Sequence, residues 1–168
     1  MMDGDVALAL RRAGLDDGDA VWDVIRPALR AGETYALPRD ISKADALALW
    51  LAADRETWLA EDQEGRTLGV YYLKANQGGG GSHVANCGYM TAVEAAGRGV
   101  ARAMCAHSLE RAGGRGFRAM QFNFVVSTNE RAVRLWRAFG FETVGVLPDA
   151  FEHPRLGVVD ALVMHRRL

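Results

Sequence analysis

The run Val93-Glu94-Ala95-Ala96-Gly97-Arg98-Gly99-Val100-Ala101-Arg102-Ala103 constrains this chain more than any other, because its glycines punctuate a turn that leads straight into an apolar-periodic helix. Glycine carries no Cβ, so the main chain can come close to a ligand there. The first N–H groups of the helix have no partner within it and sit at the positive end of its dipole. Such a turn is an anion cradle suited to a phosphate or pyrophosphate, to which Arg98 and Arg102 add charge. It is equally the shape of a plain strand-to-helix link.

The rest of the chain supplies a matching frame. At 168 residues, 49% of them hydrophobic, it can close a sizeable core and is too short for two ordinary domains, so residues 1–168 are expected to form one. Val6 to Arg11 alternates as a strand, and Asp16 or Asp17 can cap a helix with apolar positions Ala20, Val21, Val24, Ile25 and Leu29, which Pro27 should strain or end. After a loop carrying Gly32-Glu33-Thr34-Tyr35, Ser42 caps a second helix through Leu51. Thr57 to Glu61 and Thr67 to Lys74 form a strand pair about the Glu64-Gly65 turn. His83 to Thr91 is the fourth strand, and a helix from Gly99 to about Gly113 follows. Arg118 to Val126 is the fifth strand, followed by a helix capped near Thr128 or Asn129 and a hairpin of Thr143 to Leu147 with Val158 to His165.

Several function classes fall away. A net charge of −1, with Lys and Arg dispersed along the chain, leaves no footprint for nucleic acid. No Cys/His set has metal-ligand spacing, so no metal is expected. The run Gly78 to Gly81 leads through Ser82-His83 into a strand and lacks the Gly-Lys-Ser/Thr helix opening of a phosphate loop, so it reads as a hairpin tip. Cys87 and Cys105 are too few for a disulfide framework, and Cys105 lies on an apolar helix face. The opening Met1-Met2-Asp3-Gly4-Asp5 lacks the regions of a signal peptide, and the apolar stretch Ala44 to Ala53 is too short to cross a bilayer. A reducing cytoplasm, with no membrane partner, is the expected location.

The glycine turn, the β-rich run from Phe117 to Val126 and the segment Asn129-Glu130-Arg131-Ala132-Val133-Arg134-Leu135-Trp136-Arg137-Ala138-Phe139-Gly140-Phe141 together resemble the Gcn5-related N-acetyltransferase (GNAT) superfamily. Gly99 and Ala101 match its Arg/Gln-x-x-Gly-x-Gly/Ala loop; Ala96 departs from it. Trp136 stands where many members carry a tyrosine that acts as general acid, and an indole N–H only donates. The resemblance implies an α/β (α+β) domain with a mixed, mostly antiparallel central sheet flanked by helices, strands four and five splayed apart. It implies acetyl-CoA as cosubstrate, its pantetheine arm lying along strand four at Tyr89 and Thr91, and its phosphates at Ala96, Gly97, Arg98, Gly99, Val100, Ala101 and Arg102. In that scheme the Tyr89 N–H holds the oxyanion of the thioester carbonyl, Trp136 lines the cosubstrate site, and direct attack by the amine needs no enzyme nucleophile.

Within the superfamily, Ser82 to Asn86, Gln121 to Asn129 and Val158 to Met164 resemble the yeast azetidine-2-carboxylate N-acetyltransferase group. That likeness assigns Asn86 and Asn123 to the carboxylate of a small cyclic secondary amino acid and Asn129 to a position near the CoA sulfur, with Phe124 on the acceptor side. Asparagine is depleted in strand interiors, so Asn86 and Asn123 need partners whether or not they bind substrate; Asn129 can simply cap a helix. Tyr35 lies in the loop that forms part of the acceptor wall in this fold, and Glu152 and His153 fall between the last strands. Asp160 points outward or meets a second subunit, and the run Ala161-Leu162-Val163-Met164 suits either a homodimer contact or a buried strand. The expected activity is acetyl transfer to such an amino acid. Other readings are a protein N-terminus or antibiotic amine as acceptor, or a non-catalytic acyl-CoA sensor.

Overall fold

The computed structural model describes residues 7–168. Seven strands form one sheet in the order β1-β2-β3-β4-β5-β7-β6. These are β1 (Ala9–Arg12), β2 (Arg55–Glu61), β3 (Thr67–Ala75), β4 (Val84–Thr91), β5 (Ala119–Val126), β6 (Glu142–His153) and β7 (Gly157–Arg167). Helices α1 (Gly18–Ala31) and α2 (Lys43–Trp50) precede β2, α3 (Val100–Gly114) joins β4 to β5, and α4 (Glu130–Ala138) joins β5 to β6. All neighbours pair antiparallel except β4 and β5. The chain order and the mixed, mostly antiparallel sheet agree with the sequence reading.

β3 sits inside the sheet and is covered on both faces, which is why Leu68 to Tyr71 read as an unbroken buried run. Its alternation separates two layers. Gly69 and Tyr71 face α3, where Tyr71 meets His107 (2.6 Å). Tyr72 faces α2, its ring 5.1 Å from that of Trp50. Ser42 caps α2 by accepting the Asp45 N–H (3.1 Å).

Several boundaries differ from expectation. Met1 to Val6 lies outside the described residues, and the first strand runs from Ala9 to Arg12. Asp17 precedes α1 without capping it; its carboxylate instead accepts the Gly14 N–H (2.6 Å) and pairs with Arg11 (2.9 Å). Pro27 does not end α1, because the carbonyl its ring frees belongs to Asp23 on the exposed side, where water can satisfy it. The last two strands are longer than their apolar cores suggest, so Glu152 and His153 belong to β6, and His153 is buried with Nδ1 accepting the Arg155 N–H (3.2 Å). β7 lies between β5 and β6, so Ala161 and Met164 are fully buried within the sheet. Asp160 accepts the Asp149 N–H (3.0 Å) at an irregularity of β6 where Asp149 adopts φ 49°.

The layer between β3 and α3 depends on Gly69. A Cβ there would lie 2.7 Å from Cγ1 of Val100 and 2.8 Å from Sδ of Met104. The methionine end can swing away, whereas the buried, β-branched Val100 cannot. Gly69→Ala should therefore destabilise the fold by about 1–3 kcal/mol, lowering Tm by roughly 2 to 12 °C in a thermal melt. An unchanged Tm would overturn this packing account.

Candidate active site

β4 and β5 pair only at Val84 with Ala119 and Ala85 with Met120, then diverge into a fork. The orientation of the free edge follows from the other side of β4. The Val84 carbonyl accepts from Asn76 (2.8 Å), the Ala92 N–H donates to Leu68 (2.8 Å), and the register with β3 is unbroken between them. Alternation therefore turns the backbone groups of Cys87, Tyr89 and Thr91 into the fork. The Tyr35 hydroxyl, reaching in from the α1–α2 loop, donates to the Tyr89 carbonyl (3.0 Å), and the Tyr89 N–H faces the opening.

The Tyr89 side chain takes no part in that edge. Its hydroxyl meets Ser108 Oγ (2.7 Å) beneath the sheet, its ring lies 4.9 Å from Trp136, and burial holds its phenol well above the ordinary pKa. Phe122 of β5 completes the packing, 5.8 Å from Tyr89, 5.0 Å from Trp136 and 4.3 Å from Phe141. Trp136 thus serves as a wedge under the fork and also lines the cavity above it.

At the mouth of the fork the chain turns into α3 with Gly97 at φ 81° and Gly99 at φ 80°. The first bond of the helix runs from the Ala103 N–H to the Gly99 carbonyl (3.0 Å), which leaves the N–H groups of Val100, Ala101 and Arg102 without helical acceptors. Ala96, Gly97, Gly99, Val100, Ala101 and Arg102 line the cavity; Arg98 does not, and its N–H closes the turn onto the Ala95 carbonyl (3.2 Å). Arg131 of α4 also reaches this turn, its Nη2 lying 3.7 Å from where a Gly97 Cβ would stand. Arg131 and Arg134 line the cavity but were missed by the sequence reading, although their three-residue spacing in a helix is the signal that puts two cations on one face.

At the root of the fork stands Asn86, whose Nδ2 donates to the Gln121 carbonyl (2.9 Å) just beyond the last ladder pair. Asn123 and Phe124 fall where the β5–β7 register is broken by a bulge, a device that re-aims side chains. Asn123 donates to Asn76 Oδ1 (2.6 Å) and accepts from Gln121 Nε2 (2.9 Å). Each of these amide nitrogens carries a second proton, so each retains a donor. Asn129 caps α4, accepting the Ala132 N–H (3.4 Å).

One cavity of about 990 Å³ collects Tyr35, Asn86, Tyr89, Thr91, Asn123, Phe124, Asn129, Trp136 and the cradle. Its lining includes five cations, Arg55, Lys74, Arg102, Arg131 and Arg134, and, among the described residues, no carboxylate or histidine. Cys87 also lines it, but burial pushes its thiol up to about 12, which removes it as a nucleophile near neutral pH. A second cavity of about 480 Å³ shares Tyr35, Ala36 and Leu37 with the first and is walled by Glu152 and His153. Across it Arg155 pairs with Glu33 (2.8 Å), joining the β6–β7 turn to the α1–α2 loop.

The chain is similar to several named proteins. A GCN5-related N-acetyltransferase from Kribbella flavida is 42% identical, with TM-score 0.92 over 96% of this chain and 98% of its own. A phosphinothricin acetyltransferase from Sinorhizobium meliloti, solved in complex with acetyl-CoA, shares the fold at 22% identity and TM-score 0.83, covering 96% of this chain and 88% of its own. The N-acetyltransferase aca1 of Schizosaccharomyces pombe is 34% identical over 83 residues, which are 49% of this chain and 40% of that protein. The match therefore spans less than half the length of that curated relative. Among the described residues, no helix is long and apolar enough to cross a membrane. Residues 20–141 match the acetyltransferase (GNAT) family, and the chain belongs to that family.

Proposed function

We propose that residues 1–168 act as one domain, in a reducing cytoplasm, that acetylates the ring nitrogen of a small cyclic amino acid such as azetidine-2-carboxylate or a proline-pathway metabolite. The observation that carries this reading is the placing of Asn86 and Asn123, on two diverging strands, beside the free backbone edge of β4 in a single cavity. The likeness to the azetidine-2-carboxylate group adds the acceptor.

The N–H groups at Val100, Ala101 and Arg102, with Gly97, Gly99 and Arg131, hold the pyrophosphate. Thr91 and Tyr89 hold the pantetheine arm by their backbone, and Asn129 and Trp136 flank the thiol end. When bound, acetyl-CoA supplies the thioester carbonyl that the amine attacks. The Tyr89 N–H donates to the oxygen on which charge develops, a group already in place before reaction. Asn86 and Asn123 orient the acceptor carboxylate with their second amide protons, and Phe124 and Tyr35 bound the ring. No carboxylate or histidine lines the described cavity, so the amine arrives unprotonated or loses its proton to water.

A homodimer through the C-terminal strands also belongs to this proposal, on the outermost strand β6 and not on the buried β7 run. Val144 (59% exposed) and Val146 (53% exposed) support it, because a bare apolar edge strand invites pairing.

Four measurements test these statements. A thiol-release assay with acetyl-CoA and a panel of amines should show turnover with the cyclic amino acid; a rate no higher than the uncatalysed one with every amine, despite measurable CoA binding, would favour the sensor. Gly99→Val should weaken CoA binding in calorimetry at least tenfold, since valine is strained at that φ and crowds the cradle; unchanged affinity in a folded variant defeats the cradle. The kcat/KM should rise tenfold per pH unit up to the pKa of the acceptor amine, because only the neutral amine attacks; a plateau beginning at about pH 6 to 7 would instead reveal an enzyme base of histidine type. Sedimentation at micromolar concentration should give a dimer that Val146→Lys dissociates, and a wild-type monomer rules the dimer out.

A further inference from the structure

Arg55, Lys74 and Asn86 have register partners in one line across the sheet, Arg55 opposite Lys74 on β2 and β3 and Lys74 opposite Asn86 on β3 and β4. Directly opposed residues share a face, and this is the α2-facing side, where Tyr72 meets Trp50. All three line the large cavity. The row therefore ends at the root of the fork, beside the amide assigned to the acceptor.

The charges along the row do not balance. Asp54 is the one carboxylate paired with either cation among the described residues, with Arg55 Nε at 2.7 Å and Lys74 Nζ at 3.7 Å. Two cations against one carboxylate leave one positive charge in surplus. Arg55 is already committed, since its guanidinium makes two contacts with Asp54 and covers the Tyr72 ring at 4.8 Å, and its side chain is only 12% exposed. Lys74 has a single distant ion-pair contact, a partly exposed side chain and three donors on a flexible stem. It stands next to the fully buried Leu73, near the end of a strand whose other residues carry no charge.

We infer that Lys74 is the residue that selects an anionic acceptor, its ammonium pairing with the acceptor carboxylate while the amide of Asn86 fixes the direction of approach. This rests on the acetyltransferase reading above and deepens it. The amides alone cannot favour a carboxylate over a carboxamide by charge; a surplus cation beside them does. Arg55 holds Asp54 closely, so that carboxylate, 3.7 Å from Lys74, neutralises it only in part.

The test compares kcat/KM for the cyclic amino acid, its carboxamide and its methyl ester in the intact protein, with acetyl-CoA as donor. Wild type should prefer the acid. Lys74→Met should lose about ten- to a hundred-fold toward the acid, mainly through KM, with the carboxamide and the KM for acetyl-CoA little changed. Lys74→Arg should keep most of the preference and Lys74→Glu should abolish it. Asp54→Asn, at a largely exposed site, should raise the acid-to-amide ratio by releasing Lys74, an effect no merely structural role produces. The inference falls if the acid-to-amide ratio of Lys74→Met equals that of wild type while transfer continues. Failure of wild type to acetylate any amine overturns instead the reading on which it rests.

Discussion

The candidate site is built around a hydrogen-bond ladder that stops. β4 and β5 share two rungs and then separate, so a strand in the middle of a sheet presents an unpaired edge. Buried backbone groups are normally paired, so such an edge persists only where something holds the strands apart. Three aromatic rings do so from below, with Tyr89 and Phe122 on the two strands and Trp136 of α4 packed against both. From the root, Asn86 takes the Gln121 carbonyl that a third rung would have used. The wedge and the amide are structural devices whose product is a backbone donor aimed at a cavity.

The cavity's chemistry is mainly a matter of charge placement. The chain carries a net charge of −1, yet the described lining holds five cations without a carboxylate. Overall charge therefore says little about the local field, which is set by the few groups that a fold brings to one wall. The cations fall into two sets. Arg102, Arg131 and Arg134 come from α3 and α4, and Arg131 reaches over Gly97 of the cradle; Arg55 and Lys74 lie along the sheet toward the root of the fork. Asn86 and Thr91 are five residues apart on an extended strand, roughly 17 Å, so the two sets stand at different ends of the cavity.

Local signals were readable where a residue's effect is exerted on its own neighbours. Ser42 and Asn129 cap helices because a side-chain oxygen reaches an N–H three residues on, and both do so here. Gly97 and Gly99 lie in the turn that the sequence placed before a helix, and there they adopt positive φ. Pro27 misled for the same reason, since its local penalty is real but the freed carbonyl reaches solvent and the surrounding helix is held by Val21, Ile25 and Leu29 in the core. The length of the last hairpin was hidden because its outer strand is exposed along most of its length and so carries no strong alternation.

By itself the sequence determined the order of strands and helices, the position of the glycine turn and the identity of the asparagines, because periodicity, capping and glycine freedom act over a few residues. Only the tertiary structure decided that β4 and β5 part after Ala85 and Met120, that a bulge turns Asn123 and Phe124 out of the β5 ladder, and that Arg131 of α4 reaches the Gly97 turn. It alone joined Arg55, Lys74 and Asn86 into a row, since cross-strand register couples residues far apart in the chain. Such contacts depend on how strands far apart in sequence pack around one core, and no local pattern records that.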